Sequence, residues 1–144
     1  MPLHLIKLCV GCDSIRDLEE WIEERLAEKR RRRQPPEHIH TTRMQPKRTS
    51  ELSGGSLYWV IRGELACRER IVDIRPFVDK EGIKRCRLVL DGKVVPVEPR
   101  LVRAFQGWRY LAAKDAPADL KRGTKSVARL PEELRRELRS LGLL

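Results

Sequence analysis

Residues 57–77, with the sequence LYWVIRGELACRERIVDIRPF, decide the fold of this chain. The segment opens with a dense run of aromatic and β-branched residues, which is typical of a strand. From residue 65 onward the side chains alternate with a period of two, which predicts a second strand. Glu69 stands between Arg68 and Arg70 in this second strand. We interpret these three residues as an ion-pair network on the strand face.

A helix is the clearest prediction upstream of this segment. Asp13 or Ser14 is a suitable N-cap, and the apolar residues that follow recur with 3-4-4 spacing. These apolar residues are Ile15, Leu18, Ile22 and Leu26. Acidic residues stand near the start and basic residues near the end, which suits the helix dipole. The prolines at positions 35 and 36 forbid continuation.

Further strands are predicted on both sides of the central segment from apolar runs and period-two alternation. They cover residues 3–10, 37–45 and 83–91, with a short edge segment at 93–99 and a strand at 108–111 that follows a helical turn. The final segment predicts an amphipathic helix with leucines on one face. These leucines are Leu130, Leu134, Leu138 and Leu141.

These elements predict an α+β fold. Consecutive strands joined by short turns pair mostly antiparallel, and a sheet of this size commonly curls into a small barrel. We therefore expect a curled, mostly antiparallel sheet or barrel, flanked by the N-terminal helix and the C-terminal amphipathic helix. Residues 1–120 form one α+β domain in this interpretation, and residues 121–144 form a linker and the last helix.

The charge of the chain indicates the type of partner. The formal net charge is +10 and the pI is about 10, and a protein this basic commonly engages a polyanion such as nucleic acid. The first residues lack the pattern of a secretory signal peptide, and no apolar run approaches the length of a membrane span. We therefore expect a cytoplasmic protein with reduced thiols and no membrane partner.

The strongest basic cluster lies between residues 29 and 48, where eight lysines and arginines face a single acid, Glu37. Such clusters bind phosphate backbones through counterion release. We expect RNA or another polyanion to be the partner. The residues predicted to contact phosphates are Arg30, Arg31, Arg32, Arg33, Arg43, Lys47 and Arg48.

A second candidate surface surrounds residues 104–111, AFQGWRYL. Arginines interleaved with aromatic residues are typical of proteins that stack unpaired bases. Phe105 and Trp108 are better interpreted as core anchors, since tryptophan is mostly buried in a small domain. The residues left to face a ligand are Arg103, Gln106, Arg109 and Tyr110.

A metal site is the competing hypothesis. Cys9 and Cys12 form a C-x2-C pair, and His38 and His40 share one strand face, so together they supply a Cys2His2 zinc set. This set would favour a metal-dependent enzyme that acts on a nucleotide or nucleic acid. The sequence contains no P-loop, no G-x-S-x-G and no H-E-x-x-H motif.

Several stretches together resemble an uncharacterised bacterial family, domain of unknown function 1489. They are LIKLCVGCDSI, HTTRMQPKR, GSLYWVIRG, GIKRCRLVLD and RAFQGWRYLAAKDAPADL, and the resemblance covers most of residues 1–120. It implies no activity and therefore adds no catalytic residue. A weaker similarity is to the PUA and ASCH group of RNA-binding barrels, carried by Gly63, Glu69 and Arg70 in WVIRGELACRER. Leu65 and Ala66 stand where the ASCH group has a lysine-threonine pair.

The first functional hypothesis is therefore a non-catalytic RNA-binding module. The second is the metal-dependent enzyme described above. The third is a protein-interaction adaptor that docks through the C-terminal leucines.

Overall fold

The computed structural model describes residues 2–120. Within these residues the chain forms seven strands, one α-helix and one short 3-10 helix. In chain order they are β1 (His4–Leu8), α1 (Ile15–Arg31), β2 (His38–Thr42), β3 (Ser56–Ile61), β4 (Glu64–Val78), β5 (Lys84–Leu90), β6 (Val95–Leu101), β7 (Trp108–Leu111) and the 3-10 helix Ala113–Asp115. The predicted linker and C-terminal helix, residues 121–144, lie outside the described residues.

The strands form one mixed sheet with the order β2-β5-β4-β3-β1-β7, and β6 pairs separately with β4. The β1–β3 pair is parallel, which the crossover through α1 and β2 permits, and the other strand pairs are antiparallel. The predicted α+β class is thus confirmed. The predicted barrel is wrong, because the terminal strands β2 and β7 do not pair with each other and the sheet stays open.

The central segment folds as the sequence predicts. β3 is buried along its whole length and pairs antiparallel with β4. Between them, Arg62 and Gly63 have φ angles of 50° and 80°, which is the pattern of a type I′ hairpin turn. β4 is long because its first half pairs with β3 and β6, whereas its second half pairs with β5 from Ile71 onward, with a register shift between Ile71 and Asp73.

Both ends of α1 are capped by local bonds. The Ser14 hydroxyl accepts a hydrogen bond from the backbone N–H of Asp17, as an N-cap does. At the other end, the Gln34 N–H donates to the Lys29 carbonyl at 2.8 Å and the Arg33 N–H donates to the Arg30 carbonyl at 3.1 Å. This pair of bonds is a Schellman motif, and Arg33 takes its left-handed position with φ 55°.

Apolar residues are buried on both faces of the sheet. The larger cluster packs beneath α1, and the smaller one lies on the opposite face under β6 and the following loop. Leu5 and Trp59 belong to the first cluster, whereas their neighbours Ile6 and Tyr58 belong to the second. This division follows from the alternation of side chains along a strand.

Two predicted elements differ from the structure around residue 101. The segment predicted as a short edge piece is the full strand β6, which pairs with β4 over Val95–Leu101. The predicted helical turn before β7 is wrong, because Leu101 ends β6 and residues 102–107 form a loop. Gly107 with φ 68° supplies the bend into β7. No helix within residues 2–120 is long and apolar enough to cross a membrane.

Candidate nucleic-acid interface and adjoining cleft

The two basic segments predicted from the sequence lie at opposite ends of the edge strand β2. Residues 30–33 form the end of α1 and its cap, just before β2, and residues 43–48 follow β2 directly. We call the edge strand with these two segments the basic edge. β2 itself has five residues and so spans about 16 Å, since a strand rises about 3.3 Å per residue, and residues 34–37 connect it to the helix end.

The arginines at the helix end differ in their partners. All four, residues 30–33, are exposed. Arg31 and Arg32 both pair with Glu28, and the Arg31 guanidinium is the main cause that lowers the pKa of this carboxyl. Arg30 and Arg33 have no carboxylate partner among the residues that the structure describes. These two guanidinium groups are therefore the ones that a phosphate can contact without breaking an ion pair.

The second basic segment is held against β7 by two side chains, Tyr110 and Trp108. The Tyr110 hydroxyl oxygen accepts hydrogen bonds from the backbone N–H groups of Lys47 at 2.9 Å and Arg48 at 3.1 Å. The Trp108 indole N–H donates to the Met44 carbonyl at 2.6 Å. These bonds fix the backbone and leave the Lys47 side chain exposed.

The structure divides the second predicted surface. Trp108 and Tyr110 lie on one face of β7, and Trp108 is buried in the larger core as predicted. Arg109 lies on the opposite face, where its guanidinium carbon sits 4.7 Å from the centre of the Phe105 ring. Arg103 and Gln106 are exposed in the loop before β7. Tyr110 therefore meets the 43–48 segment, whereas Arg109 does not share its face.

A cleft of about 660 Å³ lies between the end of β1, α1 and β2. Its walls are the end of β1 with the following turn, residues 7–12, one face of α1, and residues 39–41 of β2, and Trp59 of β3 also lines it. The helix contributes Asp17, Glu20, Trp21, Glu24 and Arg25. The three acids on the helix wall outnumber the cleft's two cations, Lys7 and Arg25, so the cleft lacks the excess of positive charge that marks the basic edge.

A buried polar cluster lies beside the cleft. Glu69 is fully buried, and its carboxylate accepts from the Trp59 indole N–H at 3.0 Å and bonds His38 Nδ1 at 2.8 Å. A buried carboxylate needs such donors, so His38 carries its proton on Nδ1. The interpretation of Glu69 as a surface partner of Arg68 and Arg70 is therefore wrong. Arg68 instead pairs with Asp119 at 2.7 Å.

His40 occupies the cleft wall next to this cluster. Its ring contacts the Trp59 ring edge-on, with 5.2 Å between the centroids. Burial is the main cause that lowers the pKa of His40 to about 4, and the positive charge of Lys7 acts in the same direction. The ring is therefore neutral at physiological pH. Its Nε2 atom is buried and has no hydrogen-bond partner in the part of the chain that the structure describes.

The predicted zinc ligands are partly brought together. Cys9, Cys12 and His40 all line the cleft, whereas His38 lies behind it in its bond with Glu69. No three His, Cys, Asp or Glu side chains within residues 2–120 are arranged to hold a metal ion. A zinc site at these four residues stays a prediction.

Sequence reasoning did not identify the Glu69, His38 and Trp59 cluster as a unit. The period-two alternation of β4 does place Glu69 on the same side as Cys67 and Ile71, and both of these are buried. The position of Glu69 on the same face as these apolar residues was the signal in the sequence that its side chain is buried. The sequence did not indicate that His38 is a partner of Glu69, because the two residues are 31 positions apart.

The family described as protein of unknown function (DUF1489) matches residues 5–144, and the chain belongs to this family. The match extends past residue 120 and so includes the C-terminal segment. No curated protein and no solved structure matches the chain.

Proposed function

We propose that this member of the DUF1489 family is a non-catalytic RNA-binding module that contacts phosphates along the basic edge. The main observation behind this proposal is that two exposed basic segments flank one edge strand. In addition, Arg30 and Arg33 lack carboxylate partners within the described chain. Phosphate contacts by such cations release counterions and give sequence-independent affinity.

The backbone conformation at Arg33 also supports this proposal. Arg33 takes a left-handed conformation with φ 55° at the Schellman position, where glycine is the residue that costs least. A non-glycine residue there costs about 1 kcal/mol or more. Strain of this kind is often kept at functional positions. An arginine that projects its charge from the helix end is a physical reason to keep it.

The second segment supplies a pre-ordered backbone. The bonds of Tyr110 and Trp108 to residues 44–48 hold the segment in place before any ligand binds. Arg43 and Lys47 then present their charges from a fixed support, which reduces the entropy lost on binding. Arg103 and Gln106 lie in the loop before β7, whose Val102 and Phe105 pack on the opposite face of the sheet, so in this proposal they lie outside the interface. Tyr110 positions the segment, and Arg109 also lies outside the interface.

The test uses the full chain and a fluorescently labelled single-stranded RNA of mixed sequence, followed by anisotropy. The variant Arg30→Ala with Lys47→Ala removes one cation from each end of the basic edge. We expect its affinity to fall by at least tenfold at low salt. The control is Arg16→Ala with Lys114→Ala, which removes the same charge from exposed residues elsewhere. Arg16 lies in the first turn of α1 and forms only an exposed ion pair with Glu20.

The control variant should keep affinity within about threefold of the parent protein, since loss of net charge alone is a weak and distributed effect. Equal losses in both variants would show that binding depends on net charge and not on the basic edge. Absence of binding to the parent protein at low salt would overturn the proposed function itself. Circular dichroism of each variant verifies that the fold is intact.

A further inference from the structure

Cys9 and Cys12 stand at the two ends of one tight turn. Val10 and Gly11 are its central residues, and Gly11 has φ 88°, as the third residue of a type II turn does. The Cα atoms at the ends of such a turn are less than about 7 Å apart. A disulfide requires a Cα separation of about 4.4–6.8 Å. The turn therefore holds the two cysteines within the range in which a disulfide forms.

The surroundings of the four cysteines separate this pair from the others. Cys9 and Cys12 line the cleft and are partly exposed, so a small oxidant reaches them. Cys67 and Cys86 are fully buried in the core. Glycine at position 11 has no atom within 4 Å of where a Cβ would stand, and Val10 is exposed, so the tip of the turn is unpacked and can adjust to a new bond.

We propose that Cys9 and Cys12 form a reversible dithiol–disulfide site at the mouth of the cleft, which exchanges with low-molecular-weight disulfides such as oxidised glutathione. The Cys12 thiolate attacks one sulfur of the oxidant, the S–S bond of the oxidant breaks, and one glutathione thiolate leaves. Cys9 then loses its proton to solvent and attacks the Cys12 sulfur, which releases the second glutathione. The two protein thiols lose two electrons and two protons, and the oxidant is reduced to two glutathione molecules.

The order of attack follows from the environment of Cys9. Burial is the main cause that raises the pKa of its thiol, and the neighbouring Cys12 thiol and the Glu69 carboxylate act in the same direction. Because the thiolate is the attacking species, Cys9 is disfavoured as the first nucleophile toward an oxidant in solution.

Access of the oxidant acts in the same direction. Cys9 is held at the end of β1, where its backbone N–H donates to the Val60 carbonyl at 2.8 Å. Cys12 stands between the exposed residues Gly11 and Asp13, so an oxidant in solution meets Cys12 first. Cys9 is well placed for the second step, since attack within the turn is intramolecular. Cys12 is thus the attacking residue and Cys9 the resolving residue.

The test equilibrates the full chain in buffers with different ratios of reduced to oxidised glutathione. Acid quenching, alkylation with N-ethylmaleimide and peptide mass spectrometry then give the state of each cysteine. We expect a Cys9–Cys12 disulfide whose fraction rises and falls reversibly with the ratio, while Cys67 and Cys86 stay reduced. Cys9 and Cys12 that remain alkylatable at every ratio would overturn the proposal, as would disulfides to Cys67 or Cys86.

Two matched variants test the roles. Cys9→Ser leaves the attacking thiol without its resolving partner, so a mixed disulfide with glutathione should accumulate on Cys12. Cys12→Ser leaves only Cys9 at the mouth of the cleft, and its modification should be at least tenfold slower. Equal rates in the two variants would overturn the assigned order. A mixed disulfide that persists in the parent protein would overturn the site as a whole, because it would show that Cys9 does not resolve it.

Discussion

At the scale of single residues, the most informative backbone position is Arg33. Its φ of 55° places Cβ in the crowded left-handed region, which glycine adopts without this penalty. The bonds of the Schellman motif hold it there. The fold therefore tolerates backbone strain at Arg33, whose charged side chain is exposed.

Replacing Arg33 by glycine should raise the free energy of unfolding by about 1 kcal/mol, because the strain disappears. The same change should weaken RNA binding if the proposed function is correct. The control is Arg32→Gly, since Arg32 has an ordinary φ of −85° and gains nothing from glycine. Urea denaturation measures both variants. An Arg33→Gly protein no more stable than its parent would contradict this reading of the helix end.

Glu69 is the residue whose removal should cost most. Glu69→Leu leaves the Trp59 indole N–H and the His38 N–H buried without an acceptor, and losing one partner of such a network costs roughly 3–5 kcal/mol. Glu69→Gln keeps an acceptor for Trp59 and should lose less. Thermal and urea unfolding of the two variants provide the comparison. If Glu69→Leu were as stable as Glu69→Gln, the bonds described here would not contribute as inferred.

The stability of the protein should depend on pH through His40. Its pKa in the folded state is about 4, against an ordinary value of 6.5, so the unfolded chain binds the proton first as pH falls. This contribution is present above pH 6.5 and is lost progressively as pH falls toward 4. The slope for one proton is at most about 1.4 kcal/mol per pH unit.

His40→Gln should flatten the pH dependence of unfolding between pH 6.5 and about 4.5. Below that window the carboxyls whose pKa is lowered by an arginine, such as Glu37 beside Arg75 and Glu51 beside Arg48, also become protonated. His4, whose pKa is also lowered by burial, should retain a smaller part of the slope, and His4→Gln serves as the comparison. A parent protein equally stable at pH 6.5 and pH 4.5 would contradict the assignment.

At the scale of elements, β7 connects two parts of the chain that the sheet itself does not join. Through Tyr110 and Trp108 it bonds the segment that follows β2, although β2 and β7 are opposite edges of the sheet. These side-chain hydrogen bonds connect β7 to the segment after β2, as backbone hydrogen bonds between strands would in a closed barrel. As a result, the basic segment at residues 43–48 is ordered although the sheet stays open between β2 and β7.

Tyr110→Phe removes the acceptor for two backbone N–H groups at the surface, which is worth about 1 kcal/mol. The amides of Lys47 and Arg48 should therefore exchange with solvent deuterium about fivefold faster. Arg109→Ala, on the opposite face of β7, should leave these two amides unchanged. Hydrogen exchange followed by NMR resolves both sites. Unchanged exchange in Tyr110→Phe would show that the hydroxyl does not hold the segment.

At the scale of the whole molecule, two surfaces of different character meet at β2. The basic edge carries the cations, whereas the helix wall of the cleft carries Asp17, Glu20 and Glu24. α1 thus divides its charge, with acids toward its start and arginines at its end. The proposed RNA contacts and the proposed dithiol site therefore lie on separate but adjacent surfaces.

RNA binding should depend on salt in proportion to the phosphates contacted. For single strands the slope of log K against log salt is about −0.7 per contact, so Arg30→Ala with Lys47→Ala should reduce its magnitude by about 1.4. Arg16→Ala with Lys114→Ala should leave the slope unchanged. Titrations at several salt concentrations give both values. An identical slope in the two double variants would argue against phosphate contacts on the basic edge.

The sequence by itself determined the features that depend on near neighbours. The capped, amphipathic α1, the paired strands of residues 57–77 and the two basic segments all follow from local periodicity and charge. The tertiary structure alone decided that the sheet stays open, that Glu69 is buried between His38 and Trp59, and that Tyr110 meets a segment more than 60 residues earlier. The physical reason is that period and propensity act over a few residues. The partner of a buried charge or a free strand edge is set by which distant segments the core brings together.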